Sequence, residues 1–172
     1  MRFFFQVVIL LLTFHVQSQY TQVRSYTSND GLTSNIINKV FVDSKNNLWV
    51  GSRAGLSVQK METFEIVPQT IAHKFNNIFD IAEDRQGGIW VAGYGQGVLY
   101  IKDNKSKLFT LKEGLVSNYA RTIKIIDERV YIGTLNGISI ISLKDFSIQN
   151  PKFDKAVLHD FTISSFFELH KK

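Results

Sequence analysis

Five side chains combine a type and a setting suited to ligand recognition: Arg53, Tyr94, Gln96, Asn136 and His73. The first four fall in short turns that run into a glycine, and His73 stands just before Asn76 on the approach to an apolar run. A guanidinium, an aromatic face, amides and an imidazole suit a polar ligand such as an oligosaccharide, and loops on a rigid scaffold are the usual carriers of such groups. Each residue taken alone is also what an ordinary exposed turn contains. Catalytic arrangements are poorer. Asp43 and Asp84 occupy equivalent turns, with Glu83 and Asp127 nearby, so repetition accounts for these acids without acid–base chemistry. Ser34, Ser52, Ser117 and His73 have no nucleophile-elbow context. The run 43–47 lacks the spacing of a helical calcium loop. His15, His159 and His170 lie towards the two ends of the chain, and there is no cysteine, so thiolate chemistry and cysteine-ligated metals are excluded. No catalytic residue, metal or cofactor is expected; a hydrolase or lyase is the remotest reading.

The elements that must position these loops come from a chain of 172 residues, enough for one domain with a real core. Hydrophobic residues make up 44% and charged residues 20%, the balance of a globular protein. The net charge of +5 is spread along the chain rather than gathered into a stripe, which argues against nucleic acid as a partner. Residues 1–19 read as a cleaved export signal: Met1-Arg2 is a positive start, residues 3–14 are apolar apart from Gln6 and Thr13, and 15–19 form a polar exit. The apolar run is too short for an ordinary spanning helix.

Trp49, Trp90 and Tyr131 recur at intervals of 41 residues within similar units at 36–58, 77–101 and 119–141. A period of about 40 to 45 residues belongs to propeller blades or to paired-helix repeats. Inside each unit the apolar pattern alternates or is continuous, and residues 35–44 are too rich in β-branched side chains for an amphipathic helix. Strands are expected at 36–42, 48–51, 55–60 and 64–67, then at 78–82, 88–91, 98–102 and 108–111, then at 121–126, 129–132, 138–141 and 146–148. The expected fold is all-β, a β-propeller fragment of three four-stranded antiparallel blades at about 30–68, 69–111 and 112–148, plus one extra N-terminal strand at 23–27. Residues 149–172 form a tail, read as the start of a following β-sandwich. Gly55, Gly97 and Gly137 stand just ahead of the third strand of each unit, where a tight reversal calls for a positive backbone dihedral. Trp49, Trp90 and Tyr131 read as packing between sheets, with sugar stacking the lesser alternative. Asn35, Asn76 and Asn118 read as turn-forming side chains.

Residues 30–56 and 113–138 resemble the two-component regulator propeller repeat. That pattern runs Gly-Leu-Pro-Ser-Asn, a strand, an Asp-rich turn, Leu/Ile-Trp-Ile/Val-Gly-Thr and a Gly-Leu. The matching positions are Gly31-Leu32-Thr33-Ser34-Asn35, Leu48-Trp49-Val50-Gly51-Ser52 and Gly55-Leu56. In the last unit they are Gly114-Leu115-Val116-Ser117-Asn118, Val130-Tyr131-Ile132-Gly133-Thr134 and Gly137-Ile138. The middle unit departs more, with His73-Lys74-Phe75-Asn76 and Ala92-Gly93 at the corresponding places. The resemblance implies the exported, sugar- or signal-sensing part of a membrane-spanning regulator, often a hybrid histidine kinase. It implies a location on the periplasmic or cell-surface side of a Gram-negative envelope.

Closed propellers have about four to eight blades, so three leave apolar faces and strand edges open. A truncated sensor is the first expectation, working as a ligand-sensing module with an oligosaccharide or small polar ligand. The rival is a structural or protein-interaction fragment that closes by self-association or on the remaining sensor blades.

Overall fold

The structure, a computed structural model, describes residues 23–67 and 75–152. The expected export signal, His73 and nearly all of the tail lie outside these residues. Runs of Val, Ile, Leu and aromatic residues fold as strands because such side chains pack well on a pleated, half-buried surface. Asp, Asn and Gly between them accept the backbone reversals. The first unit forms β1 (Ile37–Val42), β2 (Leu48–Ser52), β3 (Leu56–Lys60) and β4 (Thr63–Ile66). The second forms β5 (Ile78–Glu83), β6 (Ile89–Gly93), β7 (Gly97–Lys102) and β8 (Lys105–Phe109). The third forms β9 (Ala120–Ile126), β10 (Arg129–Thr134), β11 (Gly137–Ser142) and β12 (Ile148–Gln149). Each set of four is one antiparallel sheet with its strands in chain order. Helix among the described residues is limited to a 3-10 turn at Ser28–Asp30.

The sheets pack face to face through their first strands, β1 against β5 and β5 against β9. The repeated aromatics hold one register: Phe41, Trp49 and Val58 lie in a cross-strand row, as do Ala82, Trp90 and Tyr100, and Lys124, Tyr131 and Ile140. Leu56, Ile78, Ile81, Val91 and Leu99 fill the space between the first two sheets. Trp90, Phe109, Ile123, Val130 and Ile141 fill the next. Full burial of each such aliphatic side chain stabilises by roughly 2 kcal/mol. The first two sheets approach so closely at Gly51 that a Cβ there would stand 2.5 Å from Ile78 Cγ2. Gly97 shows the backbone need most clearly: its φ is +83° and a Cβ would collide with the Phe109 carbonyl oxygen.

One face has no such cover among the described residues. Val40, on β1, is 54% exposed, whereas Ile81 and Ile123, at the same place on β5 and β9, are 2% and 6% exposed. Ile37 and Val42 beside it are exposed too.

Three expectations change in detail. Residues 23–27 add no strand. Thr27 instead caps the 3-10 turn, with Asp30 Oδ2 accepting from Thr27 N at 2.8 Å, and Tyr26 packs edge-on against Phe64 at 5.2 Å. Local side-chain acceptors offer that backbone an alternative to a ladder. The same cap recurs ahead of the third sheet, where Glu113 Oε2 accepts from Thr110 N at 2.9 Å and from Thr110 Oγ1 at 2.6 Å. Next, β8 begins at Lys105 because Asp103 and Asn104 both take positive φ, 49° and 58°, and close a two-residue hairpin. Finally, β12 begins only at Ile148, because Phe146 turns out of the ladder with φ +59°.

Candidate functional site

The loops joining second to third strands meet the segments entering the first strands at one end of the sheets. Arg53 N donates to Ile36 O at 3.2 Å, Tyr94 N to Asn77 O at 3.0 Å and Leu135 N to Tyr119 O at 3.2 Å, so these three loop residues are structural equivalents. Neighbouring sheets are stitched together here: Asn77 N donates to Arg53 O at 2.9 Å, and Gly95 N and Gly97 N donate to Asn118 O at 3.0 and 2.8 Å. Each first strand enters with a bulge that leaves one residue outside the pairing, at Asn38, Phe79 and Arg121. A bulge turns its side chain out of the regular alternation and is a common device beside binding sites.

At this end Tyr94 meets Phe79 at 5.3 Å and Tyr119 at 4.9 Å between ring centroids. The Arg121 guanidinium lies over both Tyr94, at 5.3 Å, and Phe79, at 5.7 Å. Phe79 is 37% and Tyr119 45% exposed, so the cluster presents aromatic surface to solvent. Next to it, Lys39, Asp80 and Thr122 occupy matching positions on the three first strands and join them. Lys39 Nζ pairs with Asp80 Oδ1 at 2.7 Å, while Asp80 Oδ2 accepts from Ile123 N at 2.8 Å and from Thr122 Oγ1 at 3.2 Å.

Of the residues singled out from the sequence, Tyr94 enters the aromatic cluster. Gln96 is used structurally, its Oε1 accepting from Asn76 N at 2.6 Å. Arg53 and Asn136 lie exposed on the same loops. Phe79, Tyr119 and Arg121 were missed, as were Lys39 and Asp80. Their signal was present as columns of the repeat: 38, 79 and 121 in one, and 39, 80 and 122 in the next. The Ser-Asn pairs serve the turns, Asn35 Oδ1 accepting from Ser28 N and Asn118 Oδ1 from Leu111 N, both at 2.7 Å.

The acids at the opposite end have structural work. Asp43 Oδ2 accepts from Trp49 Nε1 at 2.9 Å, and its Oδ1 accepts from Lys45 N and Asn47 N at 2.9 and 2.8 Å. Asp84 does the same for Trp90 Nε1, Gln86 N and Gly88 N, each at 2.9 Å. Burial is the largest single influence on Asp43 and pushes its pKa up, but the hydrogen bonds from Trp49, Asn47 and Lys45 together outweigh it and hold the carboxyl below its ordinary value. Trp90 is wholly buried, which leaves no ring face for a sugar. Trp49 lines a cleft of about 540 Å³ between the first two sheets, together with Lys45, Lys60 and Lys102. Among the described residues no group of three or more His, Asp or Glu is placed to hold a metal, and no helix is long and apolar enough to cross a membrane.

Comparison with known proteins agrees with this architecture. The family profile of the two component regulator propeller matches residues 31–54 and 73–95, the second segment falling in the unit that departs most from the pattern. Among curated proteins none matches significantly. The fold is similar to the extracellular domain of a protein described as a hybrid two component system, BT3049 from B. thetaiotaomicron, with a TM-score of 0.61 and 24% identity over 79% of this chain and 20% of that one. It is similar as well to the extracellular domain of BT4673 from the same organism, described as a one component system, with a TM-score of 0.62 and 22% identity over 79% of this chain and 19% of that one. The chain thus spans about a fifth of the solved structures it matches. The two profile-matched segments fall in the first and second of three successive sheets stacked as propeller blades, so these two units match the two component regulator propeller repeat.

Proposed function

We propose that this chain is a non-enzymatic, extracytoplasmic ligand-sensing propeller module of a two-component regulator, exported by residues 1–19 to the periplasmic or cell-surface side of a Gram-negative envelope. The observation that carries the reading is the half-open group of Phe79, Tyr94, Tyr119 and Arg121 on the loop face. It offers stacking surface and a cation on a scaffold stitched across blades, the arrangement a polar ring-shaped ligand needs. The acids, in contrast, are engaged in holding turns and joining blades. The family match and the extracellular character of the similar solved domains support the same reading. The test is a thermal-shift screen of the full chain against neutral and acidic oligosaccharides. At least one should raise the melting temperature saturably, and Tyr94→Ala should abolish the rise. A flat response across the panel counts against sensing.

A second reading has its own observation. Ile37, Val40 and Val42 leave an apolar strip on β1 where the next two sheets are covered. A structural or interaction fragment that closes on further blades or on a second copy would bury that strip. Concentration-dependent assembly of the full chain, lost on Val40→Asp, supports it; a monomer at all concentrations removes it.

A further inference from the structure

We propose that Phe79, Tyr94, Tyr119 and Arg121 form a site for a ring-bearing carboxylate, the group that a uronic acid unit or an aromatic acid presents. The proposal rests on the sensing reading and narrows it to one ligand chemistry. Arg121 is the informative residue. Its guanidinium lies against two ring faces at 5.3 and 5.7 Å, and its Nε is buried with no hydrogen-bond partner. No carboxylate of the described residues pairs with it, although Arg24, Lys39 and Arg85 pair with Glu62, Asp80 and Asp127. An unmet buried donor is costly to a fold; the Nε itself is closed to solvent, so it is the outer edge of this half-buried guanidinium that is left to meet an acceptor from outside the chain.

The geometry specifies that partner in three respects. A guanidinium backed by aromatic rings retains its charge and offers its fork to a planar two-oxygen acceptor. The Lys39–Asp80 pair beside it is already neutral, so the site supplies one uncompensated positive charge and matches a singly charged carboxylate. The solvent-facing parts of Phe79 and Tyr119 supply apolar surface on which a ring can lie. Both Arg121 and Phe79 are set there by equivalent bulges, a placement that regular alternation would not give.

Calorimetric titration of the full chain with trigalacturonate, its methyl ester, benzoate and cellotriose tests the site. Saturable binding of trigalacturonate or benzoate is expected, at least tenfold weaker in Arg121→Gln, partly restored in Arg121→Lys and weakened in Tyr119→Ala. Esterification of trigalacturonate should cost a similar factor. Binding of trigalacturonate alone assigns a uronic acid, and of benzoate alone an aromatic acid. Equal binding of the ester or cellotriose, with Arg121→Gln unaffected, overturns the carboxylate site while leaving sensing intact. Silence with all four probes also overturns the site, and the broader thermal-shift screen then decides separately on sensing. Circular dichroism melting of each variant separates lost binding from lost fold.

Discussion

Replacing Asp84 with Ala removes the acceptor shared by Gln86 N, Gly88 N and Trp90 Nε1, each bonded at 2.9 Å. Gln86 is exposed and its amide can turn to water, but Gly88 and Trp90 are buried. A buried donor left unpaired costs about 1 to 3 kcal/mol, so two such donors give an expected loss of about 4 kcal/mol. The share of the indole can be isolated. Trp90→Phe removes the N–H while keeping an aromatic ring beside Tyr100 and Phe109, whose centroids lie 4.6 and 5.6 Å from that of Trp90. In the Trp90→Phe background, Asp84→Ala should cost about 1 to 3 kcal/mol less than in the wild type, which is the coupling energy of a double-mutant cycle. Urea unfolding of the four full chains, followed by far-ultraviolet circular dichroism, measures it. Should Asp84→Ala fail to fold, Asp84→Asn serves in its place, since one amide oxygen keeps an acceptor while the amide NH2 disturbs the indole. Additivity within about 0.5 kcal/mol would refute the clasp. The third blade offers a natural precedent, for Tyr131 replaces the indole and its turn, at Asp127-Glu128, is one residue shorter.

Asp43 sits below its ordinary pKa in the folded chain, so the stability it contributes is present above the unfolded carboxyl pKa, about 3.9, and is lost as pH falls through the lower folded value. Asp43→Asn should therefore flatten the acid arm of a stability–pH curve below about pH 4, and an unchanged arm would contradict this. Asp80→Ala strands Ile123 N, Thr122 Oγ1 and Lys39 at the junction of three blades and should cost about 2 to 4 kcal/mol in urea unfolding. Lys39→Met should cost less, because Asp80 retains its bonds from Ile81 N, Thr122 and Ile123; the reverse order would contradict the belt. Ile81→Asp should prevent stable folding, whereas Val40→Asp at the equivalent exposed position should change the melting of a monomer little. Equal damage at both sites, together with a dimer in the wild type, would show that β1 is covered by a second copy.

The blades were legible because their signals are local and repeated: alternation, turn residues and one aromatic per unit at a constant register. Trp49, Trp90 and Tyr131 do lie in matching rows of the second strands. Residues 23–27 look like a strand by composition, but Thr27 and Asp30 satisfy that backbone locally, and composition cannot weigh such a bond against a ladder. The candidate site was half legible. Turns point to exposed polar groups, so Tyr94 could be found, whereas Phe79 and Arg121 reach the same place through bulges: the repeat aligns them in one column, but strand alternation does not tell which way that column faces. Complementarity between blades was hidden for a related reason. Lys39 and Asp80 are 41 residues apart, and only the stacking of first strands makes them partners.

Ligand binding is proposed for the loop face that carries Tyr94. Hydrogen exchange of the full chain, with and without the oligosaccharide that gives the largest thermal shift, tests it most directly. Slowed exchange is expected at residues 94–97 and 119–121, where the loop amides hold the aromatic cluster. Protection confined to the cleft beside Trp49, around residues 43–47 and 101–104, or to the exposed face of β1, would contradict it.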